Sequence, residues 1–375
     1  MMKLLSILFL GVVYFPLAYG QQISIVSTLQ DSISETSGLI YLNGKLITHN
    51  DSGGEPYLYE IDSLSGEVSR SVFIENATNV DWEDLCSDDT YIYIADFGNN
   101  SGTRTDLKVY RLLISDYLNS PNDTLSVDTI NFSYLDQTSF TSSTFSTNFD
   151  AEAILSYNDS LFVFTKNWGD KWTNIYALPK TPGTYALEKV DSVNVEGLIT
   201  GATYNEGSNT ILLSGYTFTY PFIVELSDFT STDFSNGTID RYQISIPSGS
   251  SIQIEGIALL QNNQYYITSE INSGGNASLY RLEATNQSTA TINTIEPITA
   301  SIYPNPTNGN IHISSASNSE IEITILTLTG KAVYSQFTLK NEIDIDLSSF
   351  KEGVYFLVIH DGVNQIVNEK IVKIK

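Results

Sequence analysis

Hydrophobic and polar positions alternate in short runs along most of the chain, and the runs recur in a fixed order. Tyr57-Leu58-Tyr59-Glu60-Ile61, Lys108-Val109-Tyr110-Arg111-Leu112, Asn174-Ile175-Tyr176-Ala177-Leu178, Phe222-Ile223-Val224-Glu225-Leu226 and Ser278-Leu279-Tyr280-Arg281-Leu282 are five versions of one strand. Ahead of each lies another β-rich run, ending at His49, Asp96, Lys166, Gly215 and Ser269. Later runs fall at 68–74, 129–134, 187–193 and 239–246. Period-two alternation with β-branched and aromatic enrichment predicts strands in all of them. Each unit opens on an acidic–small–apolar triplet or its remnant: Glu35-Thr36-Ser37-Gly38-Leu39, Glu83-Asp84-Leu85, Glu152-Ala153-Ile154, Gly201-Ala202-Thr203-Tyr204 and Glu255-Gly256-Ile257.

Four antiparallel strands recurring about every 50 residues are the units of a β-propeller. The fifth unit lacks its last strand, and the unpaired run 23–29 is expected to supply it, removing two exposed edges at once. The expected fold class is therefore all-β, with a five-bladed propeller over 21–284. A six-bladed ring stays open, because the interval from Glu83 to Glu152 is the longest and has room for a degenerate unit around 132–149. An irregular β-sandwich would leave the aligned triplets unexplained. Residues 285–300, rich in Thr and Asn without apolar periodicity, read as a linker. From 301 to 375 short alternating strands return and predict a small Ig-like β-sandwich. Residues 1–20 carry Lys3, an apolar run at 4–13, and Ala18 and Gly20 ahead of Gln21, which is the layout of a secretory signal peptide. No later stretch is apolar and long enough to predict a membrane-spanning helix.

Charge narrows the partners. Lys and Arg number 18 against 43 Asp and Glu, for a net charge of −25. Nucleic acid is excluded as a partner, since its affinity rests on basic side chains neutralising phosphates. Anionic lipid is disfavoured on the same ground, and small cations are favoured. The single cysteine, Cys86, allows neither an internal disulfide nor a Cys-based zinc site. His49, His312 and His360 are too few for a His-rich metal centre.

Strand direction then predicts a site. In a blade the first strand lines the channel, so its start and the end of the second strand share one face. Glu35, Glu83, Asp96, Glu152 and Glu255 are expected there as metal ligands. His49, Asp51, Lys166, Asn167, Trp168, Tyr216 and Glu270 are their ligand-binding neighbours, with Asp81 and Asp150 in the adjoining loops. Carboxylates that converge raise one another's pKa unless a cation sits among them. Calcium, which takes six to eight oxygen ligands, is the expected cofactor. The turns Asn50-Asp51-Ser52-Gly53-Gly54, Asp96-Phe97-Gly98-Asn99-Asn100 and Asn272-Ser273-Gly274-Gly275-Asn276 offer further oxygens, although none has EF-hand spacing. A plainer reading has the acids accepting backbone N–H groups of the next blade, or Lys166 neutralising them.

Tyr216, Phe218, Tyr220 and Phe222, with Trp168 and Trp172, form either an aromatic rim for a sugar ring or peptide or packing between blades. Two functional readings follow. One is calcium-assisted binding of an extracellular small molecule, glycan or peptide. The other is a calcium-dependent hydrolase of a phosphate ester or glycan, using paired carboxylates or the ion itself. His49 with Asp51 is the one candidate proton shuttle, and no G-x-S-x-G nucleophile elbow is present.

The C-terminal region carries a more specific signal. Ile302-Tyr303-Pro304-Asn305-Pro306-Thr307-Asn308-Gly309 opens it and Gly330-Lys331 marks a hairpin. Asp346-Leu347-Ser348-Ser349-Phe350-Lys351-Glu352-Gly353-Val354-Tyr355-Phe356-Leu357 follows, and Lys370-Ile371-Val372-Lys373-Ile374-Lys375 ends the chain. In order and position this resembles the type A C-terminal sorting domain of the type IX secretion system of Bacteroidetes. The resemblance implies a sorting motif at Tyr303, Pro304, Asn305, Pro306, Gly309, Gly353 and Tyr355. It also implies recognition by the outer-membrane secretion machinery and delivery to the cell surface or the medium. The blade texture from Asp81 to Asn100 loosely resembles secreted calcium-associated propellers, phytase-like and NHL-like ones, and implies no catalytic residue.

Overall fold

The computed structural model describes residues 23–217, 220–244, 252–261, 263–270, 276–283, 300–315, 321–327, 332–338, 342–360 and 366–375. The signal segment 1–20, most of the linker 285–300, Phe218, the turn at 272–275 and the Gly330-Lys331 hairpin lie outside the described residues.

The described residues between 23 and 283 form five antiparallel-based sheets. Their first strands are Thr36–Leu42, Trp82–Ser87, Ala151–Tyr157, Leu198–Asn205 and Ile254–Gln261. Each first strand packs beside the next, and the fifth returns to the first, so the five close a ring. Hydrophobic clusters fill the seams between successive sheets. Ile47, Val72 and Ile94 join the first and second, and Phe132, Val163 and Tyr176 the second and third. Phe164, Phe222 and Val224 join the third and fourth, Leu212, Ile254 and Ile267 the fourth and fifth, and Leu39, Leu46 and Leu279 the fifth and first. Inner strands are covered on both faces and read as continuous apolar runs, as in the fully buried Thr210–Tyr216. Outer strands such as Val68–Ile74 keep an alternating pattern.

The strand Ile23–Thr28 pairs antiparallel with Ser278–Glu283 and completes the fifth sheet. Its pairing covers the edge that the incomplete fifth unit would have left open. Two sheet edges are covered in a way the sequence did not signal. Thr124–Leu125 adds in parallel to Val68–Ile74 of the first sheet. The run expected as one strand at 187–193 divides into Gly183–Leu187 and Lys189–Asn194. The former adds in parallel to Asp128–Tyr134 of the second sheet, and the latter stays in the third. Alternation alone cannot distinguish these choices, because both strands present the same period.

Every first strand carries a register shift at the same place, between Thr36 and Leu39, Trp82 and Leu85, Ala151 and Ala153, Ile199 and Gly201, and Ile254 and Ile257. This bulge makes Ser37, Glu83, Glu152, Thr200 and Glu255 equivalent. Glu35, aligned with the glutamates in sequence, lies two residues early and is exposed. The residues that follow are Gly38, Asp84, Ala153, Gly201 and Gly256. A Cβ on Gly38 would sit 2.4 Å from the Leu85 nitrogen, so the first two strands meet backbone to backbone. Side chains stitch the ring at this level: Ser37 Oγ donates to the Glu83 carbonyl, Thr200 Oγ1 to Ile254 O at 2.7 Å, and Ser214 Oγ to Glu255 O at 2.7 Å.

The C-terminal region consists of a three-stranded and a four-stranded sheet. They share a core of Ile311, Ile313, Ile323, Ile325, Ile345, Leu357, Ile359 and Ile371. Its opening motif is bound to the end of the chain. Asn305 Nδ2 donates to Lys370 O, and its Oδ1 accepts the Val372 N–H at 2.9 Å. Thr307 exchanges backbone bonds with Val372 and Ile374. No helix among the described residues is long and apolar enough to cross a membrane.

Candidate functional site

The starts of the first strands and the ends of the second strands bring a set of acids together at one end of the ring. Asp51, Asp81 and Glu83 each offer a carboxylate oxygen within 4.8 Å of the others, with Glu83 buried and the two aspartates half-buried. None of the three forms a salt bridge among the described residues. Asp51 follows the second strand of the first sheet, and its loop is fixed by Asn79, whose Nδ2 donates to the carbonyls of Asn50 and Asp51. Asp81 and Glu83 flank the start of Trp82–Ser87. Gly98 lies directly over them: a Cβ there would fall 1.9 Å from Glu83 Oε1 and 2.5 Å from Asp81 Oδ2. A side chain at the centre of the Asp96–Asn100 turn would therefore have to push these two carboxylates out of their present positions.

Glu152 and Lys166 occupy the adjoining sector. Lys166 Nζ is 3.1 Å from Glu152 Oε2, and both side chains are buried. The ammonium also lies 5.2 Å from the ring centroids of Trp168 and Tyr216, a double cation–π contact. Asp150 is fully buried and held by the Asn99 N–H at 2.6 Å and the Trp168 indole N–H at 2.7 Å. Glu255 is buried, and Glu270 beside it is half-buried.

The electrostatics follow from burial and repulsion. Burial pushes Glu83 well above the usual carboxylate range, helped by Glu152, Asp51 and Asp81. Glu152 and Glu255 are raised in the same way, although Lys166 opposes both shifts. Asp81 is pushed up to about 7 by burial and then by Asp51 and Asp150. Glu270 also reaches about 7, through burial and the charges of Asp51 and Glu35. Burial alone would lower the Lys166 pKa, but Glu152, Tyr216 and Glu255 reverse the sign and hold it charged. The mouth thus carries several carboxyls against one buried ammonium, and the excess favours a further cation.

Other expected site residues fall into different surroundings. Asp96 is fully buried and already neutralised, 2.9 Å from Arg104 Nη2 and 3.5 Å from Lys108 Nζ, so it has no spare charge for a metal. Asn167 is closed on its own turn, accepting from Thr165 Oγ1 at 2.6 Å and donating to Asp170 at 2.9 Å. His49 does not pair with Asp51. It is buried edge-on against Trp82, with ring centroids 5.5 Å apart, and its Nδ1 lies 2.9 Å from Asn50 O. Burial lowers its pKa to about 4, which leaves it neutral and removes the proposed shuttle. Phe222 is packed between the third and fourth sheets, whereas Trp172 remains 41% exposed at the rim. Phe145, which the sequence did not single out, is 60% exposed and meets Trp168 edge-on, with ring centroids 4.8 Å apart.

Comparison with solved structures finds likenesses of low sequence identity. An exo-β-1,3-galactanase from Phanerochaete chrysosporium, solved with β-1,3-galactotriose, is 10% identical, covering 94% of this chain and all of that one, with a TM-score of 0.45. The PQQ-bound aldose sugar dehydrogenase of Streptomyces coelicolor is 13% identical over 71% of this chain and 99% of its own, with a TM-score of 0.43. BamB of Moraxella catarrhalis is 12% identical over 96% and 94%, with a TM-score of 0.25. Likeness at this level assigns no activity. Comparison with curated proteins finds no match. The C-terminal region, by contrast, is matched directly. Residues 301–374 fit the family described as the secretion system C-terminal sorting domain, and the chain is therefore a type IX cargo protein exported to the cell surface or extracellular space.

Proposed function

We propose that this cargo comprises a signal peptide at 1–20, a five-bladed propeller at 21–284, a linker at 285–300 and an Ig-like sorting sandwich at 301–375. In this reading the propeller binds a divalent cation, calcium, through Asp51, Asp81 and Glu83, and through it an extracellular small molecule, glycan or peptide. The observation that carries the reading is the convergence of these three carboxyls without a salt-bridge partner, while the nearest ammonium is committed to Glu152. All-oxygen donors of mixed exposure suit a hard cation that retains open positions for ligand oxygens. Trp172, which stays exposed, and the half-buried Trp168 at the same mouth offer aromatic surface to such a ligand, while Tyr216 is buried against Lys166.

Calcium titration of the EDTA-treated chain by calorimetry tests this. Saturable binding is expected, weakened at least tenfold in both Asp81→Asn and Glu83→Gln. Heats no greater than buffer would reduce the cluster to architecture. A hydrolytic reading draws on Glu270, which is pushed up to about 7 and is not among the three carboxyls assigned to the ion, so it is matched to proton transfer at neutral pH. Turnover of phosphate esters or glycans that requires calcium would select it over simple binding.

A further inference from the structure

A bulge leaves amide N–H groups without cross-strand partners. Here the bulges of four sheets aim such groups at one side chain. Asp84 Oδ1 accepts the Leu85 N–H at 2.8 Å, and Oδ2 accepts those of Ile154 at 3.0 Å and Ala202 at 3.2 Å. The Leu39 N–H is a fourth donor. Leu39, Leu85, Ile154 and Ala202 are the residues just past the bulge in the first four sheets. Asp84 is fully buried at this level. The equivalent positions hold Gly38, Ala153, Gly201 and Gly256, none with a side chain that reaches beyond its own strand.

Four converging amide dipoles make a concavity of positive potential, the general form of a backbone anion nest. All four partners are donors, so the group they surround must be an acceptor. We infer that the centre of the ring is an anion-binding nest of backbone amides which Asp84 fills as a built-in ligand. A small carboxylate such as formate is the class of ion that takes its place once the side chain is removed. Filling the nest holds the bulge next to Glu83, and so aims that carboxylate toward the mouth. The inference does not depend on the cation reading.

The test is thermal unfolding of the full chain carrying Asp84→Gly, with sodium formate titrated against both variant and wild type. The variant is expected to melt at least about 5 °C below wild type and to recover half or more of that loss saturably in formate, while wild type stays unmoved. A variant as stable as wild type, or one that formate shifts no more than wild type, overturns the inference. If the variant does not fold in buffer, recovery of the fold in formate supports the nest and its absence overturns it. Asp84→Asn provides a second arm. It keeps the volume but sets an amide NH2 among donors, so it should melt low and stay low in formate. Stability equal to wild type would overturn the inference on its own.

Discussion

Lys166 Nζ lies 3.1 Å from Glu152 Oε2, between the rings of Trp168 and Tyr216, and supplies a buried positive charge to the crowded acids of the mouth. Removing one partner of a buried pair leaves the other uncompensated, which costs roughly 3–5 kcal/mol. Lys166→Met is therefore expected to lose about that much unfolding free energy, read from denaturant titration. Calcium should restore more stability to this variant than to wild type, because the vacated sector then holds Glu152 and Glu255 without their counter-charge. Equal calcium shifts in the two proteins would show that the sector takes no cation.

Gly98 gives a sharper handle on the cation site, because the clash its side chain would make is with the proposed ligands themselves. Both contacting atoms are carboxylate ends, which can swing aside, so the fold should survive. Gly98→Ala is expected to keep its melting temperature within a few degrees and to lose calcium affinity at least tenfold. Unchanged affinity would mean that the Asp81 and Glu83 carboxyls do not bind the ion in the arrangement seen.

His49 predicts a pH effect of definite sign. Its folded pKa, near 4, lies below the ordinary 6.5, so between these values the unfolded chain binds the extra proton. The stability that neutral, buried His49 contributes is complete above pH 6.5, falls as pH drops toward 4, and is then constant. The raised carboxyls of the mouth act in the opposite direction, so the difference between two proteins is the quantity to measure. Over that interval wild type should lose about 3 kcal/mol more than His49→Gln. Parallel stability curves would place the imidazole in contact with water.

The sorting region predicts a location. Deleting residues 301–375 should leave the protein in the periplasm, whereas the intact chain reaches the surface or medium. Asn305→Ala is a milder probe, since it removes both side-chain bonds to the terminal strand at Lys370 and Val372. Fractionation with an antibody against the propeller distinguishes these outcomes, and surface display of the deleted chain would contradict the sorting role.

The sequence by itself determined the strand repeats, the closure by residues 23–28, the face on which strand ends gather, and the sorting motif. These are local properties: alternation records a strand's two faces, and a turn-rich motif such as Tyr303 to Gly309 records its own backbone needs. What only the tertiary structure decided is which acid stands where. The bulge slips the first strand's register, so Ser37 rather than the exposed Glu35 matches Glu83, and Asp84 turns to the centre of the ring. Period-two reading cannot see a bulge, because one extra residue exchanges the faces without changing composition. Asp96 and Glu83 look alike as strand-end acids, yet Arg104 and Lys108 neutralise one, and among the described residues no basic group forms a salt bridge with the other. That difference rests on the hairpin register, which sets Lys108 opposite Asp96 and folds Arg104 back onto it, and alternation within each strand does not give the register between them.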